Sequence, residues 1–112
     1  MALDLADLLA PVSDEDPAGP DLAYDNDRME IEQAFERSVS IDASGVAAEG
    51  PEIEWRRVID KIAAQSRQTK DVWLAVYLCR AGALSGSLAT VEIGANYLAG
   101  LLETYWPTVH PQ

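Results

Sequence analysis

The chain has 112 residues, nearly half of them apolar, and a net charge of −11. That length makes one domain with one core, and the apolar share excludes a disordered chain. The excess of carboxylates repels phosphate backbones and anionic headgroups, which argues against nucleic acid and membrane surfaces as partners.

The charge is unevenly spread: residues 1–54 sum to −13 and residues 55–112 to +2. Solubility accounts for this in the simplest way. The sharper reading is an acidic face that steers a basic protein partner. The single cysteine, Cys79, has no internal disulfide partner and fits a reducing compartment. The opening Met-Ala-Leu-Asp has no basic or apolar leader character, so neither a signal peptide nor a transmembrane segment is expected.

In chain order, Leu5, Leu8 and Leu9 share one helical face and Pro11 stops the run, which predicts a short docking helix. Asp14 to Asp21 holds three successive acids with Pro17, Gly19 and Pro20, and should be an extended connector. A second helix starts near Asp25 or Asp27, either of which suits an N-cap. Ile31, Ala34, Phe35 and Ser38 mark its inner face, with Glu30, Glu32, Glu36 and Arg37 outside. Residues 40–53 lack periodicity and read as a flexible loop. The third helix has the cleanest pattern: Trp55, Val58, Ile59, Ile62, Ala63 and Ser66 step by three and four. Glu54, Arg56, Arg57, Asp60 and Lys61 line its wet face, where the basic residues can meet the acidic half of the domain.

The stretch 71–84 is apolar all round, with Arg80 the one charge after Asp71. Such a helix must be covered on most sides, and it is too short to span a bilayer. It predicts a central helix with Asp71 in the first turn, Thr69 as N-cap and Gly86 as the stop. The fifth helix runs from about Ser87 to Tyr105 and carries two apolar stripes. Leu88, Val91, Ala95, Leu98, Leu102 and Tyr105 form one; Ile93, Tyr97 and Leu101, beside Gly94, form the other. One stripe should pack on the central helix, and the other is either more core or a surface for a partner. The fold class is therefore all-α: a compact bundle of about five helices around the 71–84 helix, in a single domain over 1–112.

Chemistry-bearing constellations are scarce. The one histidine, His110, lies near the end of the sequence, and Cys79 has apolar neighbours, as inert packing thiols do. Asp25, Asp27 and Glu30 invite a calcium reading, but an EF-hand loop needs glycine at its sixth position, where Glu30 stands. One Cys and one His allow no zinc spacing, and Gly45 and Gly50 form no phosphate loop. The residues point to a non-enzymatic, acidic interaction domain without cofactor. A small acidic enzyme or metal-binding domain, built on His110 with Asp21 or Asp25, is the rival of another class.

Several stretches resemble one family. Pro11-Val12-Ser13, then Pro17-Ala18-Gly19-Pro20-Asp21-Leu22-Ala23-Tyr24-Asp25, resembles the opening of the ImpA-related N-terminal domain of TssA-type type VI secretion proteins. The similarity continues in Trp55-Arg56-Arg57-Val58 and in Ser66 through Lys70-Asp71-Val72. It closes in Leu101-Leu102-Glu103-Thr104-Tyr105-Trp106-Pro107-Thr108-Val109-His110-Pro111, the most specific piece. The resemblance implies a cytoplasmic bacterial scaffold module, not an enzyme, that helps assemble the baseplate, sheath and tube of an injection machine. It implies partners among those parts or the membrane complex, and self-association through a separate carboxy-terminal region. Related sheath-capping or accessory proteins begin with the same module, and this chain reads as the amino-terminal module of a longer protein. The candidate interface residues are Ile93, Tyr97, Leu101, Asp21, Tyr24, Trp106 and His110.

Overall fold

The computed structural model describes residues 3–44 and 54–111. Five helices form: α1 (Leu5–Leu9), α2 (Asn26–Ser44), α3 (Trp55–Ser66), α4 (Val72–Ser85) and α5 (Leu88–Tyr105). There is no strand among the described residues, so the fold is all-α as the periodicity predicts.

Side-chain acceptors begin most of the helices, because the first turn leaves amides unpaired. Asp4 accepts from the Ala6 amide, Asp25 from Asp27, and Ser87 from Thr90. Asp71 is the cap of α4, accepting from the Trp73 amide at 2.8 Å. This corrects the expectation of Thr69, whose hydroxyl instead donates to the Pro20 carbonyl. Gly86 ends α4 in the left-handed region at φ 77°, which glycine adopts without steric cost. The second helix is longer than expected and runs through Ser44, inside the stretch read as a loop. No Gly or Pro interrupts residues 26–44 to stop it. The remainder of that loop, 45–53, lies outside the described residues.

The centre is an antiparallel pair of α4 and α5, with α3 across one side. Gly94 lets the pair approach: a Cβ there would meet Cys79 Sγ at 2.7 Å and the Cys79 backbone nitrogen at 3.0 Å. Leu74, Ala75, Leu78 and Ala81 of α4 are fully buried, with Ile62 of α3 and Tyr97 and Leu101 of α5. α1 seats Leu8 in the core and lies against α5 and α3. α2 reaches α4 through long side chains. Phe35 stacks on Tyr77 with centroids 5.3 Å apart, and the Arg80 guanidinium lies 4.5 Å over the Phe35 ring.

The central helix is covered on most sides, as its composition predicts, and the stand-off from α2 leaves Trp73, Arg80, Ala83 and Leu84 exposed along one flank. On α5 the stripe offered as a possible interface is the inner one. Tyr97 and Leu101 pack inward with Gly94, while Leu88, Ala95 and Leu102 of the other stripe are exposed. Gly94 permits the close approach to Cys79 on this face.

Leu78→Ala should lower unfolding stability by about 2–5 kcal/mol, the usual cost of emptying a buried leucine site. Leu88→Ala, at a side chain 85% exposed, should stay within about 0.5 kcal/mol of the parent. Urea denaturation of both variants checks the assignment of core and surface.

Candidate interaction site

The chain converges on the corner between α3 and α4, residues 65–72. Arg28 of α2 is 1% exposed and forms an ion pair with Asp71, Nη2 to Oδ2, at 3.0 Å. Its Nε donates to Gln65 Oε1 at 3.1 Å, and Gln65 Nε2 donates to Asp25 Oδ2 at 3.0 Å. Asp25 and Asp71 thus each cap a helix and also take part in one buried network that ties α2, α3 and α4 together. Burying such charges is costly, and the cost is offset only when hydrogen bonds satisfy both partners.

Two non-helical segments close over the same corner. Three successive carbonyls of the connector are all engaged. Ala18 O accepts from the Lys70 amide at 2.6 Å, Pro20 O from the Thr69 hydroxyl at 2.6 Å, and Gly19 O lies 2.8 Å from His110 Nε2. Facing a carbonyl, that ring nitrogen carries the proton and donates. On the other side His110 N donates to Lys70 O and Val72 N to His110 O, each at 2.9 Å. The stretch read as extended by charge repulsion is therefore folded. Val12 N bonds Pro17 O at 2.8 Å and Ser13 Oγ accepts from Asp16 N, which leaves the three acids pointing to solvent.

The candidate interface residues divide sharply. Tyr97 and Leu101 are core, and Ile93 is half-buried against it. The Tyr97 hydroxyl is buried without a hydrogen-bond partner. Burial, then the nearby Asp71 carboxylate, holds its pKa well above the ordinary tyrosine value. His110 is half-buried in the strap against the connector, a structural donor. Asp21 is exposed, though its Oδ1 accepts from the Ala23 amide. Tyr24 and Trp106 are the accessible aromatics, 94% and 70% exposed.

Arg28 and Gln65 are not among the expected site residues, although both stand in phase with an apolar stripe. Arg28 precedes Ile31 and Phe35 by three and seven, and Gln65 follows Ile62 and Val58 by the same steps. A polar side chain at a core phase signals a buried network. Lys61 does meet the acidic half, as its pattern suggests, bonding Glu30 at 2.7 Å and Asp27 at 3.4 Å. Cys79 is half-buried, with burial raising its thiol pKa and Sγ near Val91 O at 3.8 Å. Among the described residues no group of three or more His, Cys, Asp or Glu side chains could hold a metal ion. No helix there is long and apolar enough to cross a membrane.

Lys70 is fully buried, its ammonium donating to the Ser66 carbonyl. Burial lowers its pKa from 10.5 to about 8. Below pH 8 the charge is carried in both the folded and unfolded states, and the folded state bears the full desolvation cost. Between pH 8 and about 10 the folded lysine is neutral while the unfolded one still holds its proton, so stability should climb. Above pH 10 it should fall, because Tyr77 and Tyr97 keep protons that the unfolded tyrosines lose. Urea midpoints should show a gain of about 1–2 kcal/mol between pH 7.5 and 9.5, at about 1.4 kcal/mol per proton per pH unit. Lys70→Met should abolish that gain.

Comparison with known proteins agrees with the motifs that meet at this corner. Residues 9–112 match the family described as ImpA, N-terminal, type VI secretion system. The type VI secretion system component TssA1 of Pseudomonas aeruginosa is 28% identical over 109 residues, which are 97% of this chain and 32% of that protein. A solved structure also superimposes closely, the N-terminal domain including the ImpA_N region of the type VI secretion TssA component of Burkholderia cenocepacia. It has a TM-score of 0.79 and 32% identity over 99% of this chain and 40% of the other. The chain thus spans about a third of the length of the curated relative. It belongs to the ImpA amino-terminal family of the type VI secretion system.

Proposed function

We propose that this chain is a non-enzymatic interaction module of a TssA-type assembly protein. It works in the bacterial cytoplasm, where it docks to baseplate, sheath, tube or membrane-complex parts of the secretion machine. The observation that carries this reading is the family match over residues 9–112. The geometry supports it: polar side chains capable of chemistry are occupied in holding the corner together, while aromatic side chains of the kind that anchor interfaces stand exposed.

The rival metal-binding or enzymatic reading would use His110 with Asp21 or Asp25. Its histidine nitrogen faces the Gly19 carbonyl, and Asp25 serves Gln65 and the Asp27 amide. Both groups are engaged in structure, which favours the scaffold reading. The sheath-capping alternative shares the same module and differs in what the rest of the protein supplies.

Deleting these residues from the full-length protein should abolish assembly of fluorescently labelled sheaths in cells that still accumulate the truncated protein. Sheath formation at the parental frequency would overturn the proposal. Chelator should leave the melting temperature unchanged; a large drop would favour a structural metal instead.

A further inference from the structure

Among the described residues, three exposed large apolar side chains, Leu84, Leu88 and Leu102, lie along α4 and α5, and the other four form a second set. Tyr24, Met29, Trp73 and Trp106 all lie within four residues of a group in the corner network. Tyr24 precedes Asp25, Met29 follows Arg28, the Trp73 amide caps onto Asp71, and Trp106 opens the turn that leads to His110. They therefore gather at one end of the molecule, where the N-termini of α2 and α4 meet the strap after α5.

Met29 and Trp73 form the centre of this surface. α2 and α4 run parallel there, since Arg28 meets Asp71, Glu32 accepts from the Tyr77 hydroxyl at 2.6 Å, and Arg80 covers Phe35. Met29 lies one turn before Glu32, and Trp73 one turn before Tyr77, on which it stacks at 5.9 Å. The two side chains thus stand at matching positions on adjacent helices, 46% and 49% exposed.

The charge around them is mainly negative, with Lys61 and the exposed Arg80 as the neighbouring cations. From Asp21 to Glu36 the chain carries six carboxylates and a single cation, Arg28. That cation is turned inward to Asp71. Lys61 meets Asp27 and Glu30 together, which leaves their sum negative.

We propose that this end docks a basic amphipathic helix of a partner protein. Its aliphatic face would lie on Met29 and Trp73, and its Lys or Arg side chains would reach the Asp21–Glu36 carboxylates and the exposed indole faces. Tryptophan, methionine and arginine are the residue types enriched in such contacts, and a cation over an indole adds to them. Charge argues against a second copy as the occupant, since it would bring two such acidic rims together. The proposal rests on the interaction-module reading and specifies its surface and partner chemistry.

The test uses the 112-residue chain and three synthetic 16-residue peptides: an amphipathic Lys/Leu helix, a scramble of the same composition, and the same helix with Glu for Lys. The Lys/Leu helix should bind one to one, at least tenfold tighter than the scramble, and the Glu helix should not bind. Amide NMR shifts should centre on Met29 and Trp73. Trp73→Ala and Met29→Lys, each folded by circular dichroism, should weaken binding at least tenfold, whereas Leu88→Lys at the far end of α5 should not. Equal binding of the scramble, shifts centred on another face, or unchanged affinity of both variants would overturn the proposal. So would concentration-dependent dimerisation lost in Trp73→Ala, which would assign the surface to a second copy. Failure here with loss of sheaths on deletion of the module would leave the interaction reading standing and move its surface elsewhere. Binding here with sheaths intact after deletion would do the reverse.

Discussion

The buried ion pair between Arg28 and Asp71 is the constraint on which the rest of the structure depends. A guanidinium and a carboxylate that are almost wholly buried each need every available partner. Gln65 accepts from the guanidinium Nε, and the Trp73 amide donates to the second carboxylate oxygen. Satisfying those needs fixes the start of α4, the phase of α2 and the end of α3 in one step. The apolar core supplies the bulk of the driving force. Apolar contact is non-directional, so the network is what sets how the helices meet.

The same corner explains why short, separated stretches of sequence work together. The Ala18-Gly19-Pro20 segment, the Thr69-Lys70-Asp71 segment and the Val109-His110 strap are far apart in the chain. Each uses backbone groups of the next as its hydrogen-bond partners. The strap is held on both sides, and its His110 imidazole serves as a structural donor. What remains exposed is the outer surface of this end: Trp, Tyr and Met side chains beside carboxylates that are partly tied to Lys61, Gln65 and the Tyr77 hydroxyl. The proposed docking surface is thus the outside of the same junction whose inside holds the helices together.

Much of the helical layout is legible from spacing alone. α3 begins and ends where its apolar steps of three and four say, and Pro11, Gly86 and Pro107 bracket their helices. Less legible is which side of a doubly apolar helix turns inward. On α5 both stripes satisfy the period, and the one that turns inward, with Tyr97 and Leu101, lies beside the close approach that Gly94 permits. The end of α2 was hidden because Ser40 to Ser44 has weak periodicity, though nothing in it breaks a helix. The site was the hardest part to see. Arg28 looks like a surface charge until it is placed in phase with Ile31 and Phe35. Trp73 looks like core until the stand-off between α2 and α4 leaves it half in solvent.

The most direct measurement is a double-mutant cycle on Arg28→Met and Asp71→Asn, followed by urea denaturation. The asparagine side chain keeps an acceptor for the Trp73 amide, so the cycle isolates the charge pair from the cap. Each single change should cost about 3–5 kcal/mol, because it strands a buried partner. The double variant should be more stable than the sum predicts by about 2 kcal/mol or more, since neither charge is then left alone. Costs that add to within about 0.5 kcal/mol would show two independent side chains and contradict the view that this pair organises the fold.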